Sequence, residues 1–297
     1  MEQEAKEYTS CLISGSTDLR PVKGYEKFHL VKSHPVGFVF SSRIPTAEEL
    51  EENYAGYKPK KYFSPVTRAR YDELLDGFSK FNNNNRIHDV GCGSCLFLSV
   101  AKDRKWDATG NEVSDVAVNA CKERGVEIIN GEFDPEWFPE GTIDVITAFE
   151  VLEHLSDPLN ELKRIHRSLR KGGLFFFTTP NFNALERMVL KSDYNILSYP
   201  DHLAYYTPRT ADYLLQKCGF RKLKLQTTGF SVTRITTSWK TMRTGDRDVD
   251  LSSSETSDEK IRKALQNNVG TVMKNLLNTG LTAFGIGNSL KGWYIKD

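Results

Sequence analysis

The residues best suited to chemistry lie in HDVGCGSC, residues 88–95. Gly91 permits a tight turn, and Gly93 lets the backbone come close to a bound ligand. The turn separates a short strand-like stretch, RIHDV, from a helical one, SCLFLSVAKDRK. In open α/β sheets ligands sit beyond the carboxyl ends of strands, and this turn occupies such an end. A Gly-x-Gly alone is weak evidence, but two carboxylates sharpen it. Glu112 ends the next strand, where a carboxylate can accept both hydroxyls of an adenosine ribose, although a solvated loop glutamate would look the same. Asp89 immediately precedes the first glycine. A carboxylate there repels a pyrophosphate and favours a cation. Cys95 replaces the third glycine of the dinucleotide fingerprint. This electrostatic pattern favours S-adenosylmethionine, with its sulfonium and ammonium, over NAD or FAD. A buried Asp89 bonded to backbone amides remains the plainer alternative.

A second group of residues could handle a proton. His202 is the first candidate for a general base, because an imidazole with an ordinary pKa near ~6.5 accepts a proton at neutral pH. Tyr199 and Asp201 could orient it or the acceptor. His154, in EVLEH, is the second candidate. Each histidine also has a purely structural reading: His202 as a cap on the following helix, His154 as a fixer of its loop. Tyr205 and Tyr206 could line an acceptor pocket or simply belong to the core. His29, His34, His88 and His166 read as surface or packing residues. The chain contains no Gly-x-Ser-x-Gly elbow, no phosphate-binding P-loop and no His-Glu-x-x-His pair, which removes hydrolase, kinase and zinc-protease chemistry from first consideration.

The elements needed to position these residues are legible as an alternation. RIHDV, DATGNE, VEIIN, TIDVITAF and LFFFTTP read as strands. Helices are expected at SCLFLSVAKDRK, SDVAVNACKERG and DPLNELKRIHRSLRKGG, the last starting at Asp-Pro and stopping at the glycine pair. TPRTADYLLQKCGF adds a helix, RKLKLQTT a strand, and SLKGWYIK alternates like a strand that closes the sheet. The expectation is an α/β, Rossmann-like, doubly wound and mostly parallel seven-stranded sheet with helices on both faces. Before it, Thr46 and Glu49 form a capping box, and a helix is expected from Thr67 to about Lys80, followed by a break at NNNN. Residues 1–60 read as a small N-terminal appendage, and 61–297 as the main domain, with acceptor or lid elements at 182–206 and 228–284. Residues 246–260 are Ser-rich and charged. A helix over 261–281 would carry Leu265, Val269, Met273, Leu276 and Leu277 on one side, as a core or dimer helix.

Composition narrows the function classes. The 297 residues are 39% hydrophobic and carry a formal net charge of +1, enough apolar content for a core and no basic excess for a phosphate backbone. Nucleic acid and membrane are therefore not expected as partners; a small-molecule acceptor is, and a homodimer is compatible with the sequence. No leader-like or membrane-spanning run stands out. The five cysteines read as free thiols in a reducing compartment, with the cytoplasm as default.

HDVGCGSCLFL, NGEF and DVITAFEVLEHLSDPLNELKRIHRSLRKGGLFFFTTPN together resemble the successive motifs of class I S-adenosylmethionine-dependent methyltransferases, over residues 86 to 227. The resemblance implies that Asp89, Gly91, Cys92 and Gly93 line the methionine part of the cofactor. It implies that Glu112 holds the ribose with Val113 beside the adenine, that Glu132 and Phe133 face the adenine ring, and that Phe149 and Glu150 border the transfer cleft. The N-terminus resembles a zinc ribbon whose ligand frame now reads Cys11, Ser14, Ser33 and Val36, so no metal is expected. YPDHLAYYTPRT resembles a segment of methyltransferases acting on sugars and other small metabolites, and in deoxysugar C-methyltransferases the matching Tyr and His lie near the reacting carbon, here Tyr199 and His202. The implied activity is methyl transfer to a small polar acceptor such as a sugar. A NAD-dependent oxidoreductase on a similar sheet and a non-catalytic cofactor-binding relative are the alternatives.

Overall fold

The computed structural model describes residues 6–55, 63–230 and 268–297. Its centre is a seven-stranded sheet. The strands in chain order are β4 (Arg86–Val90), β5 (Asp107–Glu112), β6 (Ile129–Asn130), β7 (Ile143–Phe149), β8 (Leu169–Pro180), β10 (Phe220–Thr228) and β11 (Ser289–Lys296). In space they run β10-β11-β8-β7-β4-β5-β6. The pairs from β8 to β6 are parallel, and β11 inserts antiparallel between β8 and β10. The Rossmann-like α/β expectation holds; SLKGWYIK is a strand of the sheet as expected, but it lies inside it, with β10 at the edge.

Strand alternation sorts the core into two layers, because successive side chains point to opposite faces. On β8, Phe175 and Phe177 join one cluster, while Leu174 and Phe176 join the other. Helices α5 (Pro158–Ser168) and α7 (Pro208–Lys217) cover the first face with Leu162, Ile165, Leu214 and Leu215. Helices α2 (Pro65–Phe78) and α3 (Leu96–Asp103) cover the second with Leu75, Phe78, Phe97, Leu98 and Val100. Gly292 is required where β11 crosses β8: a Cβ there would collide with the Phe177 ring. The remaining crossover helix is α4 (Asp115–Glu123), capped by Ser114, whose hydroxyl accepts from Ala117 N–H.

The N-terminal residues form a second, four-stranded sheet from β1 (Leu19–Pro21), β2 (Leu30–Ser33), β3 (Val39–Ser41) and β9 (Ala204–Tyr205), in the order β1-β2-β3-β9. Since β9 comes from residues 204–205, this sheet is completed by the main chain body. Cys11 packs with Ile13, Phe38 and Phe40 in the larger core cluster, where a thiol acts as a small apolar group. Helix α1 (Ala47–Ala55) follows, and its capping box forms as read: Thr46 Oγ1 accepts from Glu49 N–H at 3.2 Å, and Glu49 Oε2 accepts from Thr46 N–H at 2.9 Å.

Several boundaries differ from the sequence reading. Helix α2 runs Pro65–Phe78, two residues earlier at each end, because Ser64 supplies the N-cap by accepting from Thr67 N–H at 3.1 Å. VEIIN contributes only Ile129–Asn130 to the sheet. Helix α5 stops at Ser168, and the segment Leu169–Gly173 belongs to β8, with Leu169 opposite Ile143. The cause lies across the sheet, where Arg170 Nε donates to Asp144, a carboxylate with no exposed side-chain surface. The same carboxylate accepts three consecutive backbone N–H groups, from Asn83, Asn84 and Asn85, at 2.8–2.9 Å. The polar NNNN break is thus a loop wrapped around a buried anion. Finally, α8 (Asn268–Phe284; helices α6 and α7 precede it, α6 being Leu185–Leu190) turns Leu276 and Leu277 outward and docks through Leu281, with Thr282 Oγ1 donating to Thr227 carbonyl at 2.8 Å. Leu276 and Leu277 are therefore not buried, and the side chains of Val269 and Met273 from the same expected stripe lie outside the described residues. Leu265 and the Ser-rich 246–260 stretch lie outside the described residues. Among those described, no helix is long and apolar enough to cross a membrane.

Candidate active site

The glycine turn connects β4 to α3 at the carboxyl end of β4, next to β7. Gly91 has φ +61° and Gly93 φ +52°, and a Cβ on Gly91 would sit 2.8 Å from Val151 Cγ2. Only glycine meets both demands at position 91. The contact also means that the turn abuts the segment following β7, so the two loops form adjoining walls.

Glu112 closes the turn from the side of β5. Its Oε2 accepts from Gly93 N–H at 2.9 Å, and its Oε1 accepts from Val113 and Ser114 N–H at 2.9 and 3.0 Å. Three amides thus hold the carboxylate in one orientation, and a carboxylate retains further acceptor capacity for hydroxyl donors. Val113 beside it is 47% exposed, an open apolar surface suited to a flat base. Asp89 lies beneath the turn and is buried. Thr147 Oγ1 on β7 donates to Asp89 Oδ1 at 2.6 Å. Burial pushes the Asp89 carboxyl up to about 8, the Thr147 hydrogen bond opposing and the Glu112 charge reinforcing it. Thr147 escaped the sequence reading, since its partner strand is 58 residues from Asp89. A buried carboxyl with one hydroxyl donor fits a cationic ligand better than a phosphate.

Other members of the expected cofactor set separate. Cys92 and Gly93 lie in the turn itself. Phe149 packs against Tyr71, Phe97 and Phe176, and Glu150 is exposed with φ +54° just past β7. A positive φ on a non-glycine residue is uncommon. Glu132 is exposed, but Phe133 is buried against His88 and Trp137. Its ring is a core group, which leaves only its backbone to border a ligand. His88 is buried too, bridging Thr109 and Asn111, and burial pushes it down to about 4.

The proton-handling candidates gather at the segment after β7, because Leu203 N–H donates to Glu153 carbonyl at 2.8 Å and straps residues 201–203 to it. The rings of His154 and His202 meet edge to face with centroids 4.8 Å apart. Each has its Nδ1 2.7 Å from a backbone carbonyl, of Asp201 for His154 and of Ile196 for His202. Those carbonyls can only accept, so each Nδ1 carries the proton. Glu153, His154 and His202 each offer a ligand atom within 4.8 Å of the others. Burial pulls His154 down, but the Asp201 hydrogen bond and the charges of Glu153 and Asp201 outweigh it and lift the imidazole to about 9. Asp201 shows the converse: burial raises it, and His154 and His202 bring it down to about 2. Glu153 was not singled out in the sequence. It is buried, Thr179 Oγ1 donates to its Oε2 at 2.8 Å, and burial together with the Glu150 charge pushes it well above an ordinary glutamate.

His154 is therefore an imidazolium at neutral pH, bonded to Asp201. The Asp201→Ala variant is expected to return the His154 titration, followed by NMR of its ring protons, from near 9 to below 7. A titration left near 9 would show that the Asp201 carboxylate, 3.3 Å from Nδ1, does not hold the charge. Tyr199 stands apart from the pair. Its ring packs on His29 and under Arg43, and its hydroxyl is 3.5 Å from Glu49 Oε2, so it joins the N-terminal sheet and α1 to the main body. Tyr205 and Tyr206 are core residues, 4% and 0% exposed. Glu153, Asn181, His202 and Tyr205 line a cavity of about 10 Å³, room for about one water and no acceptor.

The five cysteines do not all remain thiols. Cys95 and Cys121 are joined by a disulfide, and Cys11, Cys92 and Cys218 are free. Counting and spacing gave no hint of this, because Cys121 reaches the turn only through the packing of α4.

The open α/β sheet, with a glycine turn at the carboxyl end of β4 and Glu112 bonded to it from β5, is an arrangement that class I S-adenosylmethionine-dependent methyltransferases share. The methyltransferase domain family model matches residues 62–225, more than half of the chain, and the protein belongs to this family. Similar curated proteins include the ubiquinone biosynthesis O-methyltransferases of Nitrosomonas europaea, 29% identical with 43% of this chain and 55% of that protein covered, and of Pseudomonas syringae pv. tomato, 32% identical with 43% and 56% covered. That of Aeromonas salmonicida is 29% identical, with 51% of this chain and 68% of that protein covered. The chain thus spans little more than half the length of most of these relatives. A crystal structure of a SAM-dependent methyltransferase from Archaeoglobus fulgidus shares the fold, with a TM-score of 0.52, 17% identity, and 83% of this chain and 98% of that chain covered.

Proposed function

We propose that this protein transfers the methyl group of S-adenosylmethionine to a hydroxyl of a small-molecule acceptor. The observation that carries the reading is the turn at Gly91 and Gly93, flanked by buried Asp89 and closed by Glu112 on the Gly93 amide. Bound S-adenosylmethionine supplies an electrophilic methyl on a cationic sulfur. Gly91 and Gly93 admit its methionine part, Glu112 accepts from the ribose hydroxyls, Val113 faces the adenine, and Asp89 offsets the positive charge. The relatives named for ubiquinone biosynthesis O-methylation support an oxygen acceptor, and none of those compared supports the sugar expected from the YPDHLAYYTPRT segment.

His202 is the candidate base. With its Nδ1 proton committed to Ile196 carbonyl, Nε2 carries the lone pair, and Asp201 Oδ2 at 3.6 Å would steady the imidazolium that forms. His154, already protonated, is better suited to orienting Asp201 than to taking a proton. His202→Ala is expected to lower kcat about 100-fold or more while the S-adenosylhomocysteine affinity stays within twofold. Unchanged turnover would remove His202 from the role.

Calorimetry with S-adenosylhomocysteine and with NAD tests the cofactor reading, the first expected to bind and the second not. Uptake of NAD alone would favour the oxidoreductase alternative. Asp89 adds a pH signature. Its carboxyl titrates at about 8 without a cation beside it, and a cation favours the ionised form. S-adenosylmethionine binding should therefore expel a proton below that pH. Affinity should climb from pH 6 to 8, by up to about tenfold per unit, and level off above. A flat profile would mean that Asp89 does not face the charge.

A further inference from the structure

The glycine turn carries a second kind of chemistry. CGSC places Cys92 and Cys95 at its two ends, and α4 brings Cys121 against it. The three sulfurs lie within 4.8 Å of one another. Cys95 is bonded to Cys121, and Cys92 Sγ is 3.6 Å from Cys95 Sγ. The bond joins the N-cap of α3 to α4, the helix that follows Glu112. Cys121 Sγ also lies 3.2 Å from the carbonyl of Gly93, the residue whose N–H binds Glu112. One covalent link therefore ties the glycine turn, at the N-cap of α3, to the helix that leaves the Glu112 loop.

We propose that Cys92, Cys95 and Cys121 form a redox site that sets the affinity of the glycine turn for an adenosyl cofactor, the Cys95–Cys121 disulfide being the tight-binding state. This rests on the cofactor reading above. Forming the link breaks two S–H bonds and makes one S–S bond; two protons and two electrons pass to a small disulfide such as oxidised glutathione, which leaves as two thiols. A dithiol reductant reverses the step. Once the bond is cut, the two sulfurs must separate to van der Waals contact. Both are buried without exposed surface, so in a close-packed interior the turn and α4 shift apart. Binding must then reorder the turn, which weakens affinity.

Cys92 is placed as the resolving thiol. As a thiolate it attacks Cys95 Sγ; the Cys95–Cys121 bond breaks as a Cys92–Cys95 bond forms, and the proton lost by Cys92 ends on Cys121, with no net oxidation. Burial, with the Asp89 and Glu112 carboxylates beside it, pushes the Cys92 thiol up. That keeps it protonated and slows the exchange away from the Cys95–Cys121 link that the structure shows.

The test uses the full chain equilibrated with oxidised glutathione or with dithiothreitol. Each sample is alkylated in denaturant and mapped by peptide mass spectrometry, and S-adenosylhomocysteine affinity is measured on both by calorimetry. The expected result is a Cys95–Cys121 linked peptide in the oxidised sample only, with an affinity about tenfold tighter than in the reduced one. Cys121→Ser should hold the weaker affinity under both conditions. Equal affinities in the wild-type samples, or three alkylated thiols after oxidation, would overturn the proposal. Absence of S-adenosylhomocysteine binding in both states would instead sink the cofactor reading and the coupling with it, while the peptide map still reports whether the disulfide forms.

Discussion

Asp144→Ala should lower the urea midpoint sharply, with a loss of about 3 kcal/mol and a fall in Tm of about 6–12 °C. Asp144 is buried at the start of β7 and accepts from Arg170 and from the amides of Asn83, Asn84 and Asn85. Removing it strands a guanidinium, 22% exposed, and three N–H groups that were bonded in the folded state. Partial access of water to the Asn loop keeps the loss toward the low end for a broken buried ion pair. Asp144→Asn preserves an acceptor for the amides but not the charge, and should lose about half as much. Burial raises the Asp144 carboxyl, but Arg170 and the loop amides more than compensate, so it ends below its ordinary value. Its stabilisation is thus complete above the unfolded-state pKa near ~3.9 and is lost as pH falls through the lower folded value. At pH 3 the variant and the wild type should therefore differ less than at pH 7. A midpoint unmoved at pH 7 would show that the loop does not depend on this anion.

The second large effect falls on binding. Asp89→Asn should weaken S-adenosylmethionine about 100-fold and S-adenosylhomocysteine, which lacks the sulfonium charge, only about tenfold. Thr147 can still donate to the amide oxygen, so the turn keeps its shape and the change isolates charge. The free protein should move the other way. A carboxyl whose folded pKa is raised to about 8 destabilises the fold increasingly as pH rises from the unfolded value toward the folded one. Asp89→Asn should accordingly be more stable than wild type at pH 8 and about equal to it at pH 4. Equal losses for both nucleosides would mean that Asp89 recognises the ammonium rather than the sulfur. No loss for either would remove Asp89 from the site.

These two aspartates show what kind of information was legible in the chain. Asp89 could be read because its neighbours in sequence, two glycines and a strand, announce a ligand turn. Asp144 sits inside TIDVITAF, where it looked like one polar residue in a buried strand. Its meaning comes from an Asn loop 60 residues earlier and an arginine 26 residues later. The same arginine draws residues 169–173 into β8 through its buried partner, and the glycine pair of LRKGG offers little helical preference to oppose it. His202 and His154 could each be named as proton carriers. That they face each other, and that Asp201 commits His154 to the charged form, required the strap from Leu203 to Glu153. Tyr199 was expected near His202 from the resemblance to sugar methyltransferases, yet its ring packs against Arg43 and His29 instead.

By itself the sequence determined the alternation of strands and helices, the glycine turn at the carboxyl end of β4 and the acid that closes it, because these depend on residues a few positions apart and on period-2 and period-3.6 patterns. Tertiary structure alone decided which sulfurs meet, which carboxylates are buried enough to hold a proton, and which histidine is charged. Those properties are set by distances between elements far apart in the chain and by the water that packing excludes, and neither is encoded in local spacing.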